Sequence, residues 1–161
     1  MGINMLGNIG FSYVGLIYLL FIFIPNIIWS KNQPSDYNPG IENKTLLIME
    51  RIGQVLCTTT ILVFSDTNPK SLNLWFIWFI LSVLSMIMYE GFWFRYFKGE
   101  HTMKDFYHPY LGVPYPGATL PVFAFLFLGI YAKLIPLLIS STILAIGHIG
   151  IHIQHYQKIK D

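Results

Sequence analysis

The chain has little charge and almost no cysteine. Of its 161 residues, 11% are charged and 54% are hydrophobic, whereas soluble domains carry roughly 25% and roughly 45–50%. A soluble domain of this size could not cover that much apolar surface. The lone Cys57 excludes an intramolecular disulfide and a zinc site built from thiolates. With a net charge of +2, the chain also lacks a strongly basic surface, and we expect no nucleic-acid partner.

The first residues lack the features of a signal peptide. Residues 1–8 contain no Lys or Arg, and no Ala-x-Ala-like cleavage site follows them. We therefore expect the first hydrophobic segment to remain in the mature protein.

The richness in Ile, Asn and Lys resembles that of small multi-pass proteins in the cell membranes of AT-rich bacteria.

The hydrophobic residues form five runs. Most of these runs are close in length to the about 20 residues that a helix needs to cross about 30 Å of hydrocarbon. They predict an all-α, polytopic integral membrane bundle of about five transmembrane helices in one domain. The spans are expected near residues 10–29, 45–65, 72–94, 118–133 and 136–155. The fourth run covers only about 24 Å, so four spans with a re-entrant fourth segment is the alternative. The short turn after the second span predicts that spans two and three are antiparallel neighbours.

The distribution of Lys and Arg predicts the orientation of these spans. Only Lys70 and Lys133 lie on one side. Eight others lie on the opposite side, in or beside the first loop, the third loop and the C-terminal tail: Lys31, Lys44, Arg51, Arg95, Lys98, Lys104, Lys158 and Lys160. Because the side richer in Lys and Arg is normally cytoplasmic, we predict an external N-terminus and a cytoplasmic C-terminus.

Polar residues inside the spans are the candidates for function. On a helix, Glu50, Gln54 and Cys57 lie on one side, beside Gly53, which permits close approach of another helix. Glu90 lies near the end of the third span. An ionised side chain at mid-membrane costs about 2.5–3.5 kcal/mol and less near the ends. We therefore predict that the side carrying Glu50 and Gln54 faces protein rather than lipid.

The last span carries three of the five histidines, His148, His152 and His155, within about 60° of one another on its helix surface. Under the predicted orientation, these histidines and the intramembrane carboxylates all lie toward the cytoplasm. We predict that the ligand-binding residues surround one cavity open to that side, namely Glu50, Gln54, Glu90, His148 and His152.

The favoured interpretation of this cavity is binding without chemistry, as in a small transport or accessory subunit. Intramembrane Glu and His residues can bind and relay protons, and a small-molecule or lipid ligand from the bilayer would meet the same groups. Small residues such as Gly147 and Gly150 would let the last span pack against a membrane-protein partner or a second copy of the chain. The pattern assigns no catalytic residue and no cofactor.

A metal-dependent membrane enzyme is the first alternative. His148 and His152 are four residues apart, a spacing that allows two imidazoles to reach one ion. A catalytic zinc usually takes three protein ligands. The third would have to come from Glu50, Glu90 or the proline-rich third loop.

A methyltransferase is the second alternative. The run His108-Pro109-Tyr110-Leu111-Gly112 resembles the His-Pro-x-Tyr-x-Gly element of the isoprenylcysteine and phospholipid methyltransferases. These are small multi-pass enzymes that use S-adenosylmethionine, so the resemblance implies that activity and that cofactor. It covers five residues, its Pro and Tyr are one residue closer than in the family, and the tail lacks the family's paired glutamates.

Overall fold

The structure, a computed structural model, describes residues 6–38, 40, 42–70 and 72–160. Its helices are α1 (Tyr13–Lys31), α2 (Lys44–Val63), α3 (Ile77–Lys98), α4 (Met103–Phe106), α5 (Pro116–Ala132) and α6 (Ile135–Lys160). Short 3₁₀ turns occupy Ser65–Thr67 and Leu74–Phe76. Within the described residues, four helices (α1, α2, α3 and α6) are long and apolar enough to cross a membrane, and α5 is a shorter apolar helix of 17 residues. The predicted class, an all-helical membrane bundle, is confirmed.

Polar caps fix where several helices begin. The hydroxyl of Ser12 accepts a hydrogen bond from the backbone N–H of Gly15, so α1 begins at Tyr13 rather than at residue 10. Asn43 caps α2 in the same way, and Pro116 stands at the start of α5. At their C-termini α3 and α6 run four and five residues beyond the predicted spans. The extra turns are polar, which is why hydrophobicity alone did not include them.

The closest contact between helices joins α2 and α6. A Cβ at Gly53 would lie only 2.5 Å from the backbone of Leu144, and one at Gly147 would collide with the backbone of Glu50. Farther along the same contact, the side chains of Cys57 and Ser141 are 3.8 Å apart. Small residues thus let the two backbones meet, as is common in membrane helix pairs. On this side of α2, Gly53 and Cys57 are buried and Glu50 is 13% exposed, as predicted, whereas Gln54 is exposed.

The other main contacts join α3 to α5 and α5 to α6, while α1 packs more loosely. Ser82 on α3 donates to the carbonyl of Ala124 on α5 at 2.7 Å. Spans two and three are not each other's main partners, so the prediction from their short connection was wrong. That connection passes the end of α5, where the backbone N–H of Lys70 donates to the hydroxyl of Tyr131 and the indole of Trp75 donates to its carbonyl.

Candidate functional site

Glu50 and His148 meet across the contact between α2 and α6. Oε1 of Glu50 lies 2.6 Å from Nδ1 of His148, and the two side chains are 13% and 21% exposed. The contact is short because the neighbouring Gly147 lies directly against the backbone of Glu50. Two polar helix faces that the sequence presents separately are therefore joined in one hydrogen-bonded pair.

Two further contacts follow toward the C-terminus of α6. Nδ1 of His152 is 3.1 Å from the hydroxyl of Tyr107, and Nε2 of His155 is 3.1 Å from Oε1 of Glu42. The hydroxyl of Tyr37 also donates to Glu42, at 3.4 Å. We call His148, His152 and His155, with their partners, the histidine row. It runs along one face of α6 from the membrane-spanning part toward the loops.

The two tyrosines of this region keep their protons at neutral pH. Burial raises the pKa of Tyr37 to about 12, and the neighbouring carboxylate of Glu42 adds to the effect. Burial likewise raises the pKa of Tyr107, with smaller contributions from Tyr37 and Glu42. Both phenols are therefore available as hydrogen-bond donors beside the histidine row.

A cavity of about 300 Å³ lies beside the histidine row, and we call it the polar cavity. Its polar wall includes Glu42, Glu50, Arg51 and Gln54 as well as the three histidines of the row. Much of the remaining wall is aromatic and consists of Trp29, Tyr37, Trp93, Phe106 and Tyr107. Aromatic rings with a polar edge and a few charged groups are what small-molecule sites usually combine.

A second cavity, of about 480 Å³, lies between α1, α2, α3, α5 and α6. We call it the apolar cavity, because residues such as Leu19, Ile22, Val122, Phe125 and Leu144 form most of its wall. Asn26, Gln54 and His148 line both cavities. The two spaces therefore adjoin at these three polar side chains.

Four of the five predicted binding residues, Glu50, Gln54, His148 and His152, line the polar cavity. Glu90 lines neither cavity, so the prediction that it shares this space was wrong. Its neighbour Tyr89 points inward instead and lines the apolar cavity. Adjacent residues on a helix differ by about 100° in direction, so Glu90 points to a different side of α3, where its Oε1 is buried with no hydrogen-bond partner among the described residues.

Within the described residues, the predicted metal site at His148 and His152 has no third ligand. Among the residues that the structure describes, no three His, Cys, Asp or Glu side chains are grouped so that they could hold a metal ion. Nδ1 of His148 contacts Glu50, and Nδ1 of His152 contacts Tyr107. The arrangement favours hydrogen bonding over metal ligation.

The loop that resembles the methyltransferase element follows Tyr107 but lines neither cavity. Arg95 donates to the carbonyls of His108 and Pro109, at 3.0 and 3.2 Å, and Tyr110 forms a tight turn with Val113. The imidazole of His108 is exposed and lies against the carbonyl of Pro109. None of residues 108–112 lines either cavity, so the loop adds nothing to this site.

Glu42, Tyr107 and Asn26 were not predicted as site residues. The first two lie outside the long helices, where no helical period indicates which way a side chain points. Asn26 carried a signal, since it is a polar residue inside the apolar α1; its amide donates to the carbonyl of Ile22 and to the hydroxyl of Tyr89, at 2.8 and 2.7 Å.

No protein-family model, curated protein or solved structure matches the chain. The fold and composition define it as a helical membrane protein.

Proposed function

We propose that this protein binds a small ligand within the membrane, in a transport or accessory role, and that the ligand's polar group occupies the polar cavity. The observation that carries the proposal is the Glu50–His148 pair, 2.6 Å apart on the wall of that cavity. A pair that served packing alone would need no space beside it. Binding sites are typically concave, mostly apolar and equipped with a few converging polar groups.

The pair prepares His148 to recognise a ligand. Because Nδ1 lies against Glu50, the ring is held in one orientation and Nε2 remains for a hydrogen bond to the ligand. When Glu50 is ionised and His148 is neutral, Nδ1 donates to the carboxylate and Nε2 accepts. A ligand hydroxyl or amine would satisfy that acceptor. Protonation of His148 would turn Nε2 into a donor, so the same pair can bind a proton together with the ligand.

Substitution of Glu50 tests this function. We expect purified wild type to retain a small molecule that organic solvent releases and mass spectrometry detects. Glu50→Gln keeps the shape of the side chain but removes its charge, and should lower the retained amount about tenfold, the effect of losing about 1.4 kcal/mol of a charge-assisted hydrogen bond. Glu90→Gln, a matched change outside both cavities, should retain the wild-type amount. An empty wild type, or equal amounts in all three proteins, would contradict the proposal.

We further propose that the polar cavity opens to the cytoplasm and that the N-terminus lies on the external side of the cell membrane. The support is the excess of Lys and Arg at that end of the bundle, eight residues against two. A cysteine placed at the exposed Asn38, in a Cys57→Ser background, should react with a membrane-impermeant maleimide only after the cells are permeabilised. Labelling of intact cells would reverse the orientation.

A further inference from the structure

The apolar cavity is larger than the polar cavity, about 480 Å³ against about 300 Å³, and the function proposed above leaves it unused. Its polar groups are few, and Asn26, Gln54 and His148 are shared with the polar cavity. Water is held in a buried space by two to four polar partners. Most of this wall offers none, so the space suits a hydrocarbon group.

The apolar cavity reaches the lipid-facing surface between α1 and α2. Phe23 on α1 and Val55 on α2 both line it, and they are 46% and 66% exposed. The looser packing of α1 against the bundle leaves this side open. In a membrane such a surface meets acyl chains rather than water, so a molecule could enter from the bilayer without crossing the aqueous phase.

We infer that the ligand is a single-chain amphiphile taken from the bilayer, with its chain in the apolar cavity and its polar group at the Glu50–His148 pair. This inference rests on the proposed function and adds the chemical class of the ligand. The order of the two spaces matches such a molecule, because an apolar chamber adjoins an aromatic and charged one. The shared side chains Asn26, Gln54 and His148 lie where chain and polar group would join.

A partner helix is a poorer occupant of the apolar cavity. A helix with its side chains is about 10–12 Å across and would bring backbone and bulky side chains against a narrow space that ends at His148 and Gln54. A water-soluble ligand would fill the polar cavity and leave the apolar one empty. A single hydrocarbon chain with a small polar group uses both.

Photolabelling in a lipid bilayer tests the inference. The probes are hexadecanol, hexadecylamine and palmitate, each with a diazirine near the end of its chain, added to the protein in phosphatidylcholine nanodiscs. We expect mass spectrometry to find the label of at least one probe on the cavity wall, for example on Leu19, Val122 or Phe125. The unlabelled form of that probe should reduce the labelling at least fivefold, whereas butanol should not.

Two variants of α2 provide the control. Thr58 lines the apolar cavity, whereas Leu56 is exposed and lines neither cavity. Thr58→Phe should fill the space and reduce cavity labelling at least fivefold, and Leu56→Phe should not. If Thr58→Phe does not fold, competition in the wild type alone decides. Label confined to exposed residues, without competition, would overturn the inference. If Glu50→Gln still loses its co-purified compound in that case, the proposed function stands and only the ligand class is wrong.

Discussion

Replacing Gly147 with isoleucine should push α6 away from α2 and separate the Glu50–His148 pair. A Cβ at Gly147 would lie 2.7 Å from the carbonyl oxygen of Leu46 and equally close to Cα of Glu50. Backbone atoms cannot rotate away as side chains can, so the whole helix must move. Overpacking of this kind costs about 3 kcal/mol. We expect Gly147→Ile to unfold at much lower temperature in detergent than the wild type and to retain no ligand.

Gly150 offers the matched control on the same face of α6. A Cβ there would meet only the side chain of Leu46, at 2.9 Å, and that side chain can change rotamer. Gly150→Ala should therefore unfold within a few degrees of the wild type and keep its ligand. If Gly147→Ile unfolded at the same temperature as the wild type, this glycine would not set the distance between the helices.

The joining of α2 and α6 could be predicted from sequence because both faces follow helical periodicity. Glu50 and Gln54 recur at one turn, as do His148 and His152, and Gly53 lies beside the first pair. Lipid offers no hydrogen bonds, so two polar faces in an otherwise apolar chain are most stable against each other. Local spacing and the nature of the solvent were enough to place four of the five predicted residues on one cavity.

The remaining contacts could not be predicted because they depend on how the connecting segments fold back. Tyr107 reaches His152 across 45 residues, and Glu42 reaches His155 across 113 residues. Neither contact leaves a local pattern. The prediction that Glu90 shares the cavity was wrong for a different reason. A rotation of about 100° about the axis of α3 would exchange Glu90 with its neighbour Tyr89, and the pattern of the apolar α3 does not fix that rotation.

The apolar cavity also could not be predicted from the sequence. Its wall draws on residues from five helices, including Leu19, Val122 and Leu144, that would each be assigned to an ordinary apolar surface. An unfilled space appears only when the separations of all these helices are known. The visible signals of it were polar residues inside apolar helices, namely Asn26, Gln54 and His148.

Removing His148 alone should cost more stability than removing it together with Glu50. His148→Leu leaves the carboxyl of Glu50, which is only 13% exposed, without the partner it has in the wild type. An unsatisfied buried polar group costs about 2 kcal/mol. Glu50→Leu should be similarly destabilising, because it leaves His148 unpaired. The double variant leaves neither group behind. Its loss of unfolding free energy should therefore be clearly smaller than the sum of the losses in the two single variants.

A double-mutant cycle separates this structural effect from binding. Unfolding in mixed micelles would be measured for the wild type, Glu50→Leu, His148→Leu and the double variant, together with the ligand that each retains. We expect the double variant to recover much of the stability lost by each single variant, because leucines replace the polar pair at the helix contact. It should still retain no ligand, because the polar group would have lost its hydrogen-bond partners. Strictly additive losses would show that the 2.6 Å contact does not couple the two residues, and a double variant that keeps its ligand would place the polar group elsewhere.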